Sequence, residues 1–193
     1  MRYDEIKELY EDQGYRFYDE GSFNVNLYGI RNGYEVVNEF NDTLGVCFRD
    51  EFNNPVCIES RGTTKPGLKW LKDKIGGLGG TFILQPGQYS KCWTFGEHRG
   101  AYDALIQSPY SEFTGWRDND SDGEFDIDGA TFTDVTGLNM HTTSLINDVN
   151  KVGAYSAGCQ VRQKDEDHWI CMAVLKRSAE KYGNLFSYTL FEA

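Results

Sequence analysis

The sequence contains no long apolar run, no internal repeat and no low-complexity segment. A helix that crosses a bilayer needs about 20 consecutive apolar residues, so we expect no membrane insertion. The first residues, MRYDEIKELYEDQ, carry charges throughout and lack the apolar core of a secretion signal. We therefore expect synthesis in the cytoplasm; an action on the cell wall would then require release by another protein or carriage in a virion.

Basic residues are also scarce. The chain has 19 Lys and Arg against 30 Asp and Glu, which gives a formal net charge of -11. A nucleic acid or an anionic membrane surface would be repelled by this charge, so neither is an expected partner.

The five cysteines form no C-x-x-C pair and are scattered along the chain. This spacing predicts neither a zinc site nor a disulfide framework. We expect reduced thiols, most of them buried, because free cysteine is among the residue types most often found in protein cores.

The 193 residues predict a single domain with a mainly β (β-rich α+β) fold, a curved sheet or sandwich with a few short helices. Residues 1–80 read as a helix (YDEIKELYEDQG), an antiparallel meander and a second helix with Leu68, Leu71 and Ile75 on one face. Residues 81–193 read as strands turning at Pro86-Gly87, a helical turn in AYDALIQ, a strand before an acidic loop, a helix and a last strand. The last helix, from Asp165 as a cap to Gly183, is expected to bury a stripe of apolar residues: Trp169, Ile170, Ala173 and Val174.

One segment, SAGC, has the composition of a cysteine nucleophile site. Gly158 permits a tight turn before Cys159, so that the N–H groups of both residues could stabilise an oxyanion. His141, eighteen residues upstream at the end of a strand-like segment, is the candidate base. A packed structural cysteine and an ordinary hydrogen-bonded histidine are the alternative.

The segment NMH, fourteen intervening residues and then SAGC resemble the H…S-x-G-C signature of the L,D-transpeptidase catalytic domain, a β-rich cysteine enzyme family acting on bacterial peptidoglycan. ILQPGQY is similar to the strand, Pro-x-Gly turn and strand that precede that signature, so the resemblance covers about residues 81–163. It implies Cys159 as the acylated nucleophile, His141 as its base, Gly158 and Cys159 as oxyanion donors, and Ser156 as a hydrogen-bonding residue of the site. No cofactor is then required for the chemistry.

The sequence departs from the family two residues after the cysteine, where Val161 replaces the usual Arg or Asn. Arg162 follows, but neighbouring residues on a strand face opposite ways, so it would replace residue 161 only with a bulge. Other candidates for binding a substrate carboxylate are Arg99 and Arg117, which could equally form surface ion pairs. His98 is a candidate for the same pocket, whereas His168 is expected to cap the last helix or to face solvent.

The acidic loop DNDSDGEFD matches part of a calcium-binding loop. The expected ligands are the carboxylates of Asp118, Asp120, Asp122 and Asp126 with the carbonyl of Glu124. The twelfth position, normally a bidentate Glu, is Gly129. We expect a weak structural calcium site that braces the loop before the His141 strand; a solvated acidic turn is the alternative.

These observations predict an enzyme that attacks an L,D-peptide bond of peptidoglycan stem peptides through a thioester. The family resemblance favours transpeptidation, whereas the missing export signal and wall-anchoring module favour hydrolysis, as in a phage lysis endopeptidase or carboxypeptidase. One alternative keeps the cysteine chemistry but acts on an ordinary protein or isopeptide bond. A second is a non-enzymatic, calcium-braced binding or virion structural domain.

Overall fold

A computed structural model describes residues 1–73 and 79–193. The helices are α1 (Tyr3–Asp12), α2 (Leu68–Lys72) and α3 (Asp165–Tyr182). The strands are β1 (Asn26–Arg31), β2 (Asp42–Arg49), β3 (Pro55–Thr63), β4 (Thr81–Leu84), β5 (Gly87–His98), β6 (Tyr102–Gln107), β7 (Gly115–Asp118), β8 (Asn139–Thr142), β9 (Gln160–Arg162) and β10 (Phe186–Glu192). The mainly β class is thus confirmed. Ile75, predicted on the second helix, lies outside the described residues.

Eight strands close into a barrel in the order β1-β10-β5-β6-β8-β9-β3-β2. The predicted meander β1-β2-β3 is antiparallel throughout. It closes the barrel because β1 pairs in parallel with β10, and β3 pairs antiparallel with β9. The strands β1–β3 of the N-terminal part, whose role the sequence leaves open, therefore share one sheet with β8, which carries His141, and β9, which follows Cys159.

The barrel of eight strands is narrow enough for side chains to fill it. The main core cluster combines residues of the barrel strands, including Trp93, Leu105 and Tyr188, with Leu175 of α3. On a separate cluster, α1 packs Ile6 and other apolar residues against β1, β2 and β10. The interior of the barrel is therefore filled by side chains, and cavities of ligand size lie in clefts outside it. Among the described residues, no helix is long and apolar enough to cross a membrane.

Three predictions about the helices were wrong. AYDALIQ is no helical turn, since residues 102–107 form β6, a hairpin partner of β5. In α3 the predicted stripe is not the buried one: Trp169 and Ile170 are 39% and 49% exposed, whereas His168, Cys171, Met172, Leu175 and Ser178 are buried. Apolar residues lie on both faces of α3, so periodicity alone did not identify the face that packs. Asp165 is the first helical residue; the capping position is Lys164, which makes no side-chain cap.

The Pro86-Gly87 turn does not join a hairpin. Within residues 1–73 and 79–193, β4 pairs only with β7, in a separate two-stranded sheet, whereas β5 pairs with β10 and β6. The turn thus connects the small sheet, through β4, to the barrel, through β5. The acidic loop begins at the end of β7 and therefore at the small sheet.

The expectation that all cysteines are reduced is also corrected. Cys47 of β2 and Cys57 of β3 are directly paired across the two strands and form a disulfide bond. Cys92, Cys159 and Cys171 are free. The pairing depends on the register of two strands, which the spacing of cysteines in the sequence does not reveal.

The thiol content of the purified protein tests this pairing. Alkylation of the denatured, non-reduced chain should label three thiols, and alkylation after reduction should label all five, because only Cys47 and Cys57 are bonded. Intact-mass spectrometry counts the labels, and peptide mapping assigns them. Five labels without a reductant would contradict the disulfide.

Candidate functional site

Parallel pairing of β8 and β9 brings the predicted nucleophile and base to adjacent strands. Met140 pairs with Gln160 and His141 with Val161. Cys159 immediately precedes β9, beside Asn139, whose backbone N–H faces the sulfur. His141 is two residues further along β8, about 7 Å at the usual rise of a strand. The fold therefore places Cys159 and His141 as diagonal neighbours.

The two side chains are not in direct hydrogen-bond contact. His141 is buried, and its Nδ1 lies 2.6 Å from the Thr142 carbonyl oxygen and 3.5 Å from the Tyr102 hydroxyl. Because a carbonyl can only accept, Nδ1 carries the proton and Nε2 carries the lone pair. Nε2 is buried without a hydrogen-bond partner among the described residues. His141 thus holds an acceptor without a partner on β8, the strand that pairs with β9 directly after Cys159.

Burial sets the charge of this histidine. Loss of solvation, with a further effect of neighbouring His98, lowers the pKa of His141 to about 3. Near neutral pH the imidazole is therefore uncharged, as a general base must be before it accepts a proton.

All three histidines of the chain gather around Tyr102. The His98 and His141 rings stack with centroids 3.8 Å apart, and the Tyr102 ring lies 5.6 Å from His98 and 5.8 Å from His168. Tyr102 donates to the Thr142 carbonyl at 2.9 Å. An adjoining cleft of about 290 Å³ is lined by His98, Arg99, Ala101, Tyr102, His141, Thr142, Thr143, Ala154 and Tyr155.

The observed surroundings of His98 and His168 can be compared with those that the sequence predicts. His98 lines the cleft that also contains His141, not the Cys159 pocket, and its Nδ1 accepts a hydrogen bond from Asn139 Nδ2 at 3.0 Å. His168 neither caps α3 nor faces solvent; it is buried, and its Nε2 lies 2.8 Å from the Asp103 carbonyl. Tyr102 and Asn139 were not predicted, and Tyr102 was missed because its segment was read as a helical turn.

Cys159 lines a second, smaller pocket of about 150 Å³. Gly158 lies at φ 118°, and a Cβ there would approach the Phe82 carbonyl oxygen to 2.6 Å, so a side chain at this position would be both strained and obstructed. Ser156 donates from Oγ to the Cys159 carbonyl at 2.8 Å and accepts the Gly158 N–H at 3.2 Å. The Gly158 N–H, predicted as an oxyanion donor, is therefore already engaged in this conformation.

The thiol of Cys159 is in its protonated form near neutral pH. Burial raises the pKa of Cys159; the backbone N–H of Asn139, the charge of Arg99 and the N–H of Ala157 oppose this effect less strongly. With His141 also uncharged, the resting pair is thiol and imidazole, not thiolate and imidazolium.

The rate of Cys159 alkylation should report this protonation state. Because the thiolate is the reactive species and burial disfavours it, the rate with iodoacetamide should be low at pH 7 and rise continuously above pH 9. The free thiol of a small peptide provides the reference curve. A plateau that begins below pH 7 would instead indicate a preformed thiolate–imidazolium pair.

The candidate arginines occupy three different environments. Arg117 of β7 lines the Cys159 pocket, donates to the Gly80 carbonyl at 3.2 Å and pairs with Asp134 at 3.2 Å. Arg99 lines the histidine cleft. Arg162 is buried and lines neither of these two cavities; its partner across the strands is Thr142, whereas Val161 is paired with His141. The alternation of the strand thus turns Arg162 away, and no bulge corrects it.

The acidic loop brings together only part of the predicted ligand set. Carboxylate oxygens of Asp118, Asp120 and Asp126 lie within 4.8 Å of one another. Asp122 is exposed and outside this group; its Oδ1 accepts the Glu124 N–H at 2.8 Å. Burial, with the nearby carboxylates adding to it, raises the pKa of Asp118 to about 6.

Comparison with known proteins gives no relative from which a role could be transferred: no family model, no curated protein and no solved structure matches the chain. The resemblance to L,D-transpeptidases therefore depends on the motif residues themselves, and the function must be inferred from the geometry of the site.

Proposed function

We propose that the protein is a cysteine-dependent enzyme that cleaves an L,D-peptide bond of peptidoglycan stem peptides through a thioester. The observation that carries the proposal is the placement of Cys159, partly exposed in a pocket, beside the strand of a buried His141 whose Nε2 is a free acceptor. A nucleophile and a neutral base on neighbouring rigid strands are the minimum that covalent acyl transfer requires.

The uncharged resting state determines how the reaction starts. As the Cys159 sulfur attacks the carbonyl carbon, its proton passes to His141 Nε2. The tetrahedral intermediate then expels the amine, which takes that proton from the imidazolium, and a thioester remains. Water, deprotonated by the same nitrogen, attacks the thioester and releases the acid and the free thiol. The side chains must first close the diagonal gap between them, as catalytic contacts often do when a substrate binds.

Arg117 supports a substrate that carries a carboxylate near the scissile bond. Its side chain is 7% exposed, whereas that of its partner Asp134 is 74% exposed. The guanidinium thus lies at the wall of the Cys159 pocket, and its ion pair with the exposed Asp134 is weakened by solvent. A substrate carboxylate can therefore compete with Asp134 for the N–H donors of Arg117. Stem peptides carry such groups. The peptidoglycan assignment itself comes from the resemblance of the NMH and SAGC segments.

Transpeptidation differs from hydrolysis only in the acceptor, which is an amine in place of water. We favour hydrolysis as the proposal for this chain. The second candidate is a non-enzymatic binding or structural domain braced by calcium. It is favoured by the raised pKa of Cys159 and by the missing hydrogen bond between the sulfur and His141, since both are usual for a packed thiol.

Purified peptidoglycan and defined muropeptides discriminate between these functions. The enzyme should generate shortened stem peptides and a transient adduct on Cys159, detected as a mass increase of the intact protein. Products with joined stems in the presence of an acceptor amine would indicate transfer. Cleavage of ordinary peptides but not of muropeptides would indicate that the substrate is a protein or isopeptide bond. An unchanged substrate and an unmodified Cys159 would favour the binding domain.

A further inference from the structure

The start of the acidic loop contains a buried carboxylate that the enzymatic proposal does not use. Asp118, the last residue of β7, is 2% exposed, and its Oδ1 has no hydrogen-bond partner among the described residues. Its Oδ2 accepts the Asp126 N–H at 3.3 Å. A buried carboxylate oxygen without a partner is costly, and such groups are normally paired or coordinate a metal.

Two further carboxylates converge on this residue. Oxygens of Asp118, Asp120 and Asp126 lie within 4.8 Å of one another. Oxygens that share one calcium ion are each 2.3–2.6 Å from it, and hence at most about 5 Å apart. The three carboxylates therefore fit one cation without a large rearrangement. Without a cation, they hold three negative charges together in a chain that is already strongly acidic.

The loop is anchored to the rest of the protein. The Phe125 ring lies 6.0 Å from that of Tyr34, with the ammonium group of Lys65 5.9 Å from the Phe125 ring. Gly123 packs so closely on α2 that a Cβ there would approach the Lys72 Cε to 2.8 Å. These contacts hold the loop between Asp118 and Asp126 in place, which lowers the ordering that a ligand would have to impose.

We propose that Asp118, Asp120 and Asp126 bind one structural calcium ion. Asp118 supplies the buried ligand, Asp120 and Asp126 supply exposed and half-buried ones, and water completes the shell. All three are hard oxygen ligands, which suit calcium better than a transition metal. With Gly129 in place of the bidentate twelfth-position Glu, the affinity belongs in the range of about 10⁻⁴ to 10⁻³ M.

The ion would stabilise the edge of the Cys159 pocket. Asp118 directly follows Arg117 at the end of β7, whose four residues pair with β4. The bridge between Gly115 and Phe132 lies at the opposite end of the strand, so it does not hold Asp118. A cation that ties Asp118 to Asp126 fixes the strand end and hence the position of the guanidinium. The site is structural: the ion takes no part in bond making or breaking at Cys159.

Calcium binding is tested directly on the full chain. Isothermal titration with CaCl₂ should show one binding site. At a calcium concentration one hundred times the Kd, the thermal midpoint of unfolding should be higher than in EDTA by about 5 °C or more. Terbium, a luminescent substitute for calcium, should be sensitised by Trp116, two residues before Asp118. Magnesium should give a smaller shift, because it needs a tighter octahedral shell.

Asp118→Asn provides the decisive variant, with Asp128→Asn as a control that removes the same charge from an exposed position outside the three ligands. Asp118→Asn should abolish the calcium-dependent shift and, in EDTA, raise the midpoint, because it removes a buried charge from a cluster of like charges. Asp126→Asn should weaken binding at least tenfold. Asp128→Asn should retain the full shift.

The opposite result is equally clear. Calcium at about 10 mM is about ten times the weakest expected Kd. If the folded wild-type protein shows no change in its thermal midpoint at this concentration, and terbium shows no sensitised luminescence, the site is overturned. A response that is the same in Asp118→Asn and Asp128→Asn would also overturn it. Because these readouts need no substrate, they stand apart from the test of the enzymatic proposal.

Discussion

Replacing Cys159 with alanine is expected to lower the rate of muropeptide cleavage by at least about 1,000-fold, since removal of a covalent nucleophile leaves only binding and electrostatic effects. The mass adduct should disappear entirely. The fold should be retained, because Cys159 is partly exposed and the change removes only a sulfur atom at the edge of the cluster of Phe40, Val152 and Val161. Product analysis by mass spectrometry measures the rate, and circular dichroism checks the fold.

Cys92→Ala is the matched control for this experiment. Cys92 is also a free thiol, but it is buried in β5 within the main core cluster. This variant should lose stability and keep both the adduct on Cys159 and most of the activity. Equal loss of activity in both variants would indicate a general structural effect. Full activity of Cys159→Ala would contradict a thioester mechanism, even if the wild-type protein degrades peptidoglycan.

The largest expected effect on stability comes from a buried ion pair far from this chemistry. Asp42 and Lys65 lie 3.3 Å apart with side chains 0% and 2% exposed. Asp42 also accepts hydrogen bonds from the Asn32 N–H and, through Oδ2, from the N–H and hydroxyl of Thr64, each at 2.8–2.9 Å. Asp42→Ala leaves a buried ammonium group without its counterion, so the free energy of unfolding should fall by about 3–5 kcal/mol.

Chemical denaturation followed by tryptophan fluorescence measures this loss. Asp73→Ala is the control, because its pair with Lys69 is 59% and 48% exposed and should contribute less than about 1 kcal/mol. Adding Lys65→Met to Asp42→Ala should restore part of the stability, since no unpaired charge then remains buried. A loss below about 1 kcal/mol for Asp42→Ala would show that Lys65 is neutral or hydrated in the folded protein.

The buried pair of Asp42 and Lys65 belongs to a hydrogen-bond network that connects the N-terminal strands to the small sheet. Thr64, which donates to Asp42, accepts hydrogen bonds from the buried guanidinium of Arg31 at 2.9 and 2.8 Å. Arg31 in turn donates to the Leu84 carbonyl of β4 at 2.8 Å. This network joins β1, β2, the end of β3 and the small sheet, and so connects the N-terminal strands to β4, whose Phe82 lines the Cys159 pocket.

The sequence by itself predicted the features that local patterns encode. Alternating apolar residues between Asn-rich turns indicated β1, β2 and β3, and the mainly β class follows from them. The spacing of acidic residues around Gly123 identified the loop in which three carboxylates converge. SAGC and the upstream His141 indicated two residues of which the structure places one directly before β9 and the other on the adjacent strand β8. In each case the information lies within a few residues or in side-chain chemistry alone.

Only the tertiary structure decided which residues meet. The closure of the barrel by β1 and β10, the Cys47–Cys57 bond and the buried face of α3 all depend on contacts between distant segments. The same holds for the gathering of three histidines around Tyr102 and for the choice of Arg117 over Arg162 at the Cys159 pocket. A local pattern fixes the period of a strand or a helix, but register, pairing and packing are selected by the free energy of the whole chain.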